Sequence, residues 1–526
     1  MSRQVKRVAA ALGPVLFAGG LALGLAQVAS PPRHLIVIFV VDGLRPDSVN
    51  ALDTPAIARL RAEGVEYVNS HALFPTVTRV NATALATGSY PVLNGIVGNS
   101  MFVASVNPSA PFDTADYRQL LKLEEVSGRA STAETLGEIL QQHGRTLVTV
   151  SSGSTGNAFL LNPGARHGAG VAIHGQFNRG TTAAYPQPVS DAILQRFGPP
   201  ADSNDFGLLT WTETVLRDYV LPDLRPDVVI DWLGPLDSAQ HASGVGSPQA
   251  KTALRQIDAS ISQTIAKIDA LGLRDRTDLI VTSDHGFAHD THGVNVTDAL
   301  IQAGLKANAE STDLVVASQG QSLLFYLEGH TAERRARLVR FLQEQLWVDL
   351  IFSDGGTDTR GGTPGTFSLD LINASHPTRG ADVVASLAWG SDPNAYGVRG
   401  THTTEEAMTG AIAGEAGGHG GLNRWVVRNT LIAWGADFRT RTMIQAPASV
   451  ADIAPTVLAV LGLETTSAGD HGRGRILREL LREGPLPSSL KTTRRVLRTT
   501  AGRYRASVEI SSVAGHDYVD GGSRQK

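Results

Sequence analysis

Seven residues with the side chains used in two-metal chemistry stand in short, glycine-flanked segments between positions 42 and 419. They are carboxylates, imidazoles and one hydroxyl, which are the groups that two divalent cations and a nucleophile need. The set is Asp42, Thr78, Asp237, His241, Asp284, His285 and His419. Each residue type is more often structural when taken alone, so it is the joint occurrence that indicates an enzyme.

The surrounding sequence indicates how the chain would bring these side chains together. Asp42 follows the apolar run IVIFVV and Asp284-His285 follows LIVTS, so both are expected where buried parallel strands end. Asp237 and His241 are four positions apart in a Gly- and Ser-containing loop or the first turn of a helix, so both side chains can converge on one ion. His419 stands within GGHGG, whose glycines allow close approach of the backbone. The sequence therefore predicts a metal site at the carboxyl edge of a sheet.

Thr78 is the candidate nucleophile. The segment TRVNATALATG predicts a helix that begins at or just after Thr78, so a phosphate held there would meet free N–H groups and the positive end of the helix dipole. Two divalent ions would activate the hydroxyl for attack and give a phosphothreonine that water hydrolyses. The alternative is an ordinary helix cap, which contributes about 1 kcal/mol to helix stability and no chemistry.

Apolar runs alternate with helix-like segments from Arg33 to about residue 465, which is the rhythm of an α/β fold. We expect a doubly wound, mostly parallel central sheet flanked by helices, which keeps receiving strands along this whole region. Residues 100–135 and 154–205 are rich in Gly, Pro, Asn and Ser and lack sustained periodicity. These two segments are predicted to be loops or a cap over the strand ends.

Three regions are expected along the chain. Residues 1–30 are predicted to be a signal peptide or an N-terminal anchor, because Arg3, Lys6 and Arg7 precede an uncharged stretch from Val8 to Ser30. Cleavage near Ala26 or Ser30 would give an exported protein, periplasmic or secreted, with no membrane insertion beyond this segment. Residues 31–480 would form the catalytic domain with its cap insertions.

Residues 481–526 are interpreted as a basic C-terminal tail. Six cationic residues crowd within fifteen positions there, namely Lys491, Arg494, Arg495, Arg498, Arg503 and Arg505. A solvated or disordered tail is the expected structure, and contact with an anionic surface is the alternative.

Composition excludes several partners. The formal net charge of -4 and an aromatic content of 6% argue against nucleic acid as a bulk partner. The absence of cysteine excludes disulfides and thiolate ligands, so a metal must be held by Asp, His and hydroxyl groups. A small phosphorylated substrate is the expected partner, and the sequence does not indicate an oligomeric state.

The segments DGLRPD, FPTVT followed by NATALATGSYP, LDSAQH, SDHG and GGHGG, in this order, resemble the alkaline phosphatase superfamily, and most closely its nucleotide pyrophosphatase/phosphodiesterase branch. The resemblance covers roughly residues 34–465 and implies a metallo-phosphoesterase with two zinc ions. It implies that one zinc is held by Asp42, Thr78, Asp284 and His285, and the other by Asp237, His241 and His419.

The resemblance also assigns two asparagines. Asn99, in GIVGNSM, matches the residue that family members place against a phosphate oxygen, whereas the sequence alone favours a turn residue. Asn81 fits the motif as a structural residue of the nucleophile helix. His289 and His292 are interpreted as loop residues and not as ligands.

One residue departs from the family pattern. Many nucleotide-cleaving relatives carry an aromatic residue after the nucleophile, whereas Thr78 is followed by Arg79. Arg79 would either clamp a second anionic group or be solvated. A phosphomonoesterase or phosphonate hydrolase on the same frame therefore stays open, as does a catalytically silent anion-binding module. A sulfatase is disfavoured because the Cys or Ser nucleophile of that class is absent.

Overall fold

The computed structural model describes residues 34–177, 181–405, 416–463 and 471–525, which pack as one compact unit from His34 onward. The predicted signal or anchor segment lies outside the described residues. The described strands, numbered in chain order, are β1 (Leu35–Val41), β2 (Val65–Tyr67), β3 (Ser70–His71), β4 (Ser100–Met101), β5 (Phe112–Asp113), β6 (Leu147–Ser151), β7 (Val171–His174), β8 (Ala184–Tyr185), β9 (Val228–Leu233), β10 (Thr277–Thr282), β11 (Ala288–Val294), β12 (Leu314–Ser318), β13 (Ser322–Leu327), β14 (Val348–Ser353), β15 (Phe367–Ser368), β16 (Val383–Leu387), β17 (Trp389–Pro393), β18 (Arg399–Glu405), β19 (Gly417–Gly418), β20 (Leu431–Gly435), β21 (Thr442–Ile444), β22 (Ala448–Ser449), β23 (Thr492–Ala501), β24 (Tyr504–Val513) and β25 (His516–Arg524).

Helices connect these strands on both faces. The described α-helices are α1 (Pro55–Glu63), α2 (Thr78–Thr87), α3 (Pro91–Asn94), α4 (Tyr117–Ser127), α5 (Leu136–Gln142), α6 (Thr155–Leu161), α7 (Gln187–Phe197), α8 (Asp205–Val215), α9 (Pro235–Ser243), α10 (Pro248–Ala270), α11 (Val296–Gln302), α12 (Ala332–Glu344), α13 (Arg424–Val427) and α14 (Ile453–Val460). Helix α8 continues into a π-helical segment, Leu216–Leu224. None of the helices in the described ranges is both long and apolar enough to cross a membrane.

The central sheet has nine strands in the order β21-β2-β20-β10-β1-β9-β6-β7-β8. Strand β1 runs parallel to both β10 and β9, while β20 and β8 join antiparallel to their neighbours. Ile36 and Ile38 pack on the face covered by α2 and α14, whereas Val37 and Phe39 pack on the face covered by α10. Because both faces are covered, the strand is apolar at every position. The predicted α/β fold with a mostly parallel sheet is confirmed.

Two later strands do not extend this sheet, which corrects the expectation that it receives strands up to residue 465. Strands β13 and β16 pair antiparallel in a separate five-stranded sheet of order β12-β13-β16-β14-β15. A hairpin from β12 to β13 begins that sheet, β16 lies antiparallel between β13 and β14, and β15 joins β14 in parallel. Its buried side chains belong to a different core cluster from those on either face of β1.

The segments predicted to be loops contain regular structure. Helix α4 lies within residues 100–135, and α6 and α7 lie within residues 154–205. Helix α4 buries only three side chains, Tyr117, Leu120 and Leu123, because it lies on the surface with one apolar stripe. Such short, one-sided helices give weak periodicity in a sequence rich in Gly and Pro. His289 and His292, interpreted as loop residues, lie in strand β11.

The basic C-terminal segment is not a disordered tail. Strands β23, β24 and β25 form a three-stranded antiparallel sheet, to which we refer as the C-terminal sheet. Tyr504, Ala506, Val508 and Ile510 alternate along β24 and are buried, so this strand has an apolar face that packs on the body of the protein. The cationic side chains of β23 stay at the exposed edge, where charge discourages pairing with another chain.

Candidate active site

The site lies at the carboxyl edge of the central sheet, where β1 and β10 end. Asp42 directly follows β1, and its Oδ2 accepts a 2.9 Å hydrogen bond from Trp232 Nε1 on β9. Asp284 and His285 follow β10, and Asp284 Oδ1 accepts from the backbone N–H of Gly43 at 3.1 Å. Parallel strands end at the same edge, so residues distant in sequence become neighbours in space.

Two overlapping groups of ligand-type side chains form there. In each group, one donor atom per residue lies within 4.8 Å of the others, and the groups are Asp42, Asp284 and His285, and Asp237, His285 and His419. His241 adjoins the second group, with Nε2 3.1 Å from His419 Nε2 and 3.5 Å from Asp237 Oδ1. His285 stands between the two groups, and its ring stacks on that of His419 with centroids 3.7 Å apart.

The three imidazoles share one orientation. Each Nδ1 lies close to a backbone carbonyl, at 2.9 Å from Gly417 O for His241, 3.0 Å from Gly286 O for His285 and 3.0 Å from Thr76 O for His419. A carbonyl accepts hydrogen bonds only, so Nδ1 carries the proton and Nε2 presents its lone pair to the site. Two such lone pairs 3.1 Å apart repel each other unless a cation lies between them.

The carboxylates fit a cationic occupant in the same way. Asp42 Oδ1, Asp237 Oδ1 and Asp284 Oδ2 are buried and have no hydrogen-bond partner in the part of the chain that the structure describes. Buried carboxylate oxygens without partners are costly, and metal coordination is one way in which proteins satisfy them. The donor set of carboxylates and imidazoles is therefore suited to two divalent cations, with zinc among those that accept it.

Electrostatics within the cluster support this fit. Burial raises the pKa of Asp42 well above its ordinary value, and the charges of Asp284 and Asp237 raise it further. Burial acts to raise the pKa of Asp284, but His285 together with the hydrogen bond from the Gly43 N–H and the interaction with Asp42 lowers it below its ordinary value. Burial, together with His285 and His241, lowers the pKa of His419 well below its ordinary value. His419 is therefore a neutral imidazole at pH 7, which is the state that binds metals.

Thr78 occupies the first position of α2, as predicted, and its hydroxyl faces this cluster. The side chain is 5% exposed, and Oγ1 lies 3.4 Å from His285 Nε2. Val77, the residue before the helix, makes no side-chain capping bond, and Asn99 from a distant loop accepts from the N–H of Arg79 in the first turn. An incoming phosphate would meet the hydroxyl and the helix terminus together.

Asn99 is held next to the same helix start. Its Oδ1 accepts from the backbone N–H of Arg79 at 3.0 Å, and its own N–H donates to Gln319 Oε1 at 2.7 Å. Within the described ranges, Asn99 Nδ2 has no hydrogen-bond partner and can donate to a ligand oxygen. Asn81 holds the loop before the helix, since Oδ1 accepts from Leu73 N–H at 2.7 Å and Nδ2 donates to Leu73 O and Val77 O. Its expected structural role is confirmed.

Glycines let the backbone come close around the site. A Cβ atom on Gly286 would lie 2.1 Å from the carbonyl oxygen of Trp425, so close approach and not an unusual φ requires glycine there. Gly420, next to His419, has a φ of 107°, and its Cβ would lie 2.0 Å from Gln319 O. The close approach of the backbone expected at GGHGG is therefore confirmed, although Gly417–Gly418 form the short strand β19.

Three supporting residues were not found from the sequence. Trp232 positions Asp42, Gln319 positions Asn99, and Thr76 holds the loop of His419 by donating to Gly421 O at 2.8 Å and accepting from Gly420 N–H at 3.1 Å. Only Thr76 carried a signal, since it lies two positions before the candidate nucleophile.

An α/β fold with paired Asp and His groups beside a threonine at a helix N-terminus fits the phosphoesterase class of hydrolases. The profile of the type I phosphodiesterase / nucleotide pyrophosphatase family matches residues 36–346. The match covers more than half of the 526 residues, and the chain belongs to this family.

Individual relatives match over about half of the chain. The bis(5'-adenosyl)-triphosphatase enpp4 of Mus musculus is 25% identical over 274 residues, which are 50% of this chain and 49% of the relative. Ectonucleotide pyrophosphatase/phosphodiesterase family member 3 of Mus musculus is 22% identical over 253 residues, which are 48% of this chain and 24% of the relative. The chain thus spans between about a quarter and a half of the length of these curated relatives.

The fold is shared with a solved member. The structure of murine ectonucleotide pyrophosphatase / phosphodiesterase 5 superimposes with a TM-score of 0.58 and 16% identity, and the alignment covers 86% of this chain and 100% of that chain. At this identity, the similarity concerns the fold, a large mixed sheet flanked by helices.

Proposed function

We propose that the protein hydrolyses phosphoric esters of the phosphodiester or pyrophosphate type, with Thr78 as covalent nucleophile and two divalent cations as cofactors. The observation that carries the proposal is the convergence of three partnerless carboxylate oxygens and three imidazole Nε2 atoms beside the Thr78 hydroxyl. Membership of the phosphodiesterase family supports the same reaction class.

We assign Asp42, Thr78, Asp284 and His285 to one cation, and Asp237, His241 and His419 to the other. Zinc is the proposed metal because imidazole and carboxylate oxygen donors suit it. Divalent cations bound there would stabilise negative charge on the reacting oxygens and lower the pKa of the threonine hydroxyl.

Side chains and backbone groups of the chain carry out the remaining steps of the proposed reaction. Thr78 Oγ1 attacks the phosphorus atom, the bond from phosphorus to the leaving oxygen breaks, and the proton of the hydroxyl is released. Asn99 Nδ2 donates to a non-bridging phosphate oxygen, and the positive end of α2 attracts the phosphate charge, so that the phosphorus is held in line with Thr78. Water then cleaves the phosphothreonine, which restores the hydroxyl and frees the phosphate product.

Replacing Thr78 tests this proposal. Thr78→Ala is expected to reduce the turnover of bis-p-nitrophenyl phosphate to background, because the nucleophile is lost, while two equivalents of zinc remain bound. Turnover is measured by p-nitrophenol release and zinc by elemental analysis of the same sample. In the wild type, acid quenching during turnover followed by peptide mass spectrometry should find the phosphoryl group on Thr78.

Thr83→Ala is the matched control, since Thr83 is a buried threonine of the same helix whose Oγ1 donates to Arg79 O at 2.7 Å, away from the site. It should retain turnover. Full activity of Thr78→Ala would exclude the assignment of the nucleophile. A wild-type protein that binds no zinc and is insensitive to chelators would instead be the silent anion-binding module.

A second candidate activity, hydrolysis of phosphomonoesters, is favoured by Arg79. Its side chain is only 15% exposed, and its one ion-pair partner among the described residues is the largely exposed Asp113, at 3.6 Å. Arg79 Nε is buried and has no hydrogen-bond partner. A monoester has a third charged oxygen, and a guanidinium beside the nucleophile supplies the additional cationic contact that this oxygen requires.

We also propose that the chain is exported. The support is the cationic start followed by the uncharged stretch from Val8 to Ser30, together with relatives that are named ectonucleotide enzymes. Mass spectrometry of the mature N-terminus tests this, with cleavage near Ala26 or Ser30 as the expected result.

A further inference from the structure

A cavity of about 720 Å³ lies between the C-terminal sheet and helix α13, and none of the candidate site residues lines it. We call it the arginine cavity because five arginines line it, Arg45, Arg424, Arg428, Arg494 and Arg495. Two of the five are neutralised by neighbours. Arg45 pairs with Asp47 at 2.6 Å and donates to two backbone carbonyls, and Arg495 pairs with Asp517.

The other three guanidinium groups lack acidic partners. Arg424, Arg428 and Arg494 have no carboxylate within ion-pair distance among the residues that the structure describes. Arg428 has one long hydrogen bond, 3.3 Å to Val68 O. Burial lowers the pKa of Arg428, Asp520 and Glu509 act to raise it, and the charges of Arg494 and Arg424 act to lower it. Three like charges that face one space repel one another, so an anion between them would be strongly attracted.

The acids that line the cavity do not neutralise these cations. Asp47 is paired with Arg45, and Asp520 is engaged by His71 at 2.9 Å and by Ser511 at 2.7 Å. Glu509, which is exposed like Arg424 and Arg494, makes no ion pair with these three arginines among the residues that the structure describes. The groups that remain available in the cavity are therefore mainly hydrogen-bond donors and positive charges.

Two tryptophans also line the cavity. Trp389 is fixed by a 2.8 Å hydrogen bond from Nε1 to Gly522 O, and the Arg424 guanidinium lies 5.8 Å from its ring centroid. The guanidinium of Arg45 lies 5.0 Å from the ring centroid of Trp425. The two indole rings therefore help to position two of the arginines at the cavity.

We propose that the arginine cavity binds a small ligand that carries more than one phosphate or sulfate group. Several guanidinium groups can each bind such oxyanions through two parallel hydrogen bonds. The site is separate from the proposed catalytic centre, so the proposal does not depend on the hydrolytic activity. The ligand is either free in solution or the headgroup of an anionic lipid, and both sources share the phosphate chemistry.

Calorimetric titration of the full protein with myo-inositol hexasulfate tests the proposal, because this probe carries several sulfate groups and no phosphoester bond. We expect one molecule to bind per chain in the wild type, with affinity that falls as salt is added. The double variant Arg424→Gln/Arg494→Gln should bind roughly tenfold or more weakly, since two charge-assisted contacts are lost. Sedimentation with phosphatidylcholine vesicles that contain phosphatidic acid provides the lipid comparison.

The matched control is Arg498→Gln/Arg503→Gln, which removes the same charge from exposed positions of the C-terminal sheet outside the cavity. Its binding should stay within about twofold of the wild type. Cavity-dependent binding to hexasulfate supports a free ligand, and cavity-dependent binding to vesicles alone supports a lipid headgroup. Equal weakening by both double variants, or no binding to either probe by wild-type protein at low salt, would overturn the proposal. Thr78→Ala should bind hexasulfate like the wild type, which separates this site from the catalytic one.

Discussion

At the scale of single residues, the environment of Arg79 differs most from what its position suggests. A long cationic side chain in the first turn of a helix is commonly solvated, yet burial lowers the pKa of Arg79, while Asp113, Asp42, Asp237 and Asp284 act to raise it. The guanidinium is thus close enough to sense the carboxylates of the candidate metal centre. Because the backbone N–H of Arg79 is bound by Asn99, the main chain at this position is fixed.

Arg79→Gln is expected to change substrate preference. Turnover of mono-p-nitrophenyl phosphate should fall roughly 10- to 100-fold in kcat/KM, because one charge-assisted contact to the third phosphate oxygen is lost. The rate on bis-p-nitrophenyl phosphate, which lacks that charged oxygen, should change only a few-fold. Both rates are followed by p-nitrophenol release. Arg118→Gln serves as control, since Arg118 is 72% exposed in its side chain and pairs with Asp116. Unchanged relative rates in Arg79→Gln would rule out the clamp.

Residue types and spacing were sufficient to select the atoms that meet at the site, but not the residues that hold them. Asp42 and Asp284 each follow a continuous apolar run, which is a local signal that fixes their place at a strand end. Trp232 and Gln319 contact Asp42 and Asn99 only through the tertiary fold, across 190 and 220 positions of sequence. No local pattern marks such partners, so the sequence could not reveal them.

At the scale of secondary structure, the C-terminal sheet shows how one pattern can obscure another. The crowded arginines of β23 suggested a solvated tail, whereas the alternation of Tyr504, Ala506, Val508 and Ile510 in β24 is the two-residue period of a half-buried strand. That two-residue period is present in the sequence, but the positive charges of the neighbouring segment obscure it. The separate sheet around β13 is a different case, since an apolar strand does not specify which sheet it joins.

Helix α1 illustrates an element whose start is stabilised from another helix. Thr54 makes no side-chain capping bond, and Asp258 of α10 instead accepts from the N–H groups of Ala56 at 3.0 Å and Ile57 at 2.9 Å. Asp258→Ala should lower the free energy of unfolding by about 1–3 kcal/mol, because two helix N–H groups lose their acceptor. Denaturant titration measures the change. Asp275→Ala, at an exposed position, should have little effect. Equal stability of the Asp258 variant and the wild type would show that the cap contributes nothing.

At the scale of the whole molecule, buried acidic groups make stability depend on pH. Asp290 on β11 is 1% exposed, and a Cβ on Gly418 would lie 2.5 Å from its Oδ2, so its carboxyl packs against the loop that carries His419. Burial raises the pKa of Asp290 to about 7, although Gln321 Nε2 donates to Oδ1 at 2.8 Å and acts to lower it. His402 on β18 is in register with Asp290 on the neighbouring strand β11. Burial lowers the pKa of His402 to about 4, so this imidazole adds no charge near neutral pH.

Asp290→Asn should therefore reduce the decrease in the free energy of unfolding that the wild type shows as the pH rises. In the unfolded chain the carboxyl titrates near pH 4, so between about pH 4 and pH 7 the folded protein retains a proton that the unfolded chain has released. Its contribution to stability consequently falls as the pH rises through this window and is constant above it. Since asparagine does not ionise, the variant should gain about 2–3 kcal/mol relative to the wild type between pH 5 and pH 8. Denaturant titrations of both proteins across this range measure the difference, and Asp275→Asn provides an exposed control. A difference between variant and wild type that stays constant with pH would show that Asp290 is ionised in the folded protein throughout.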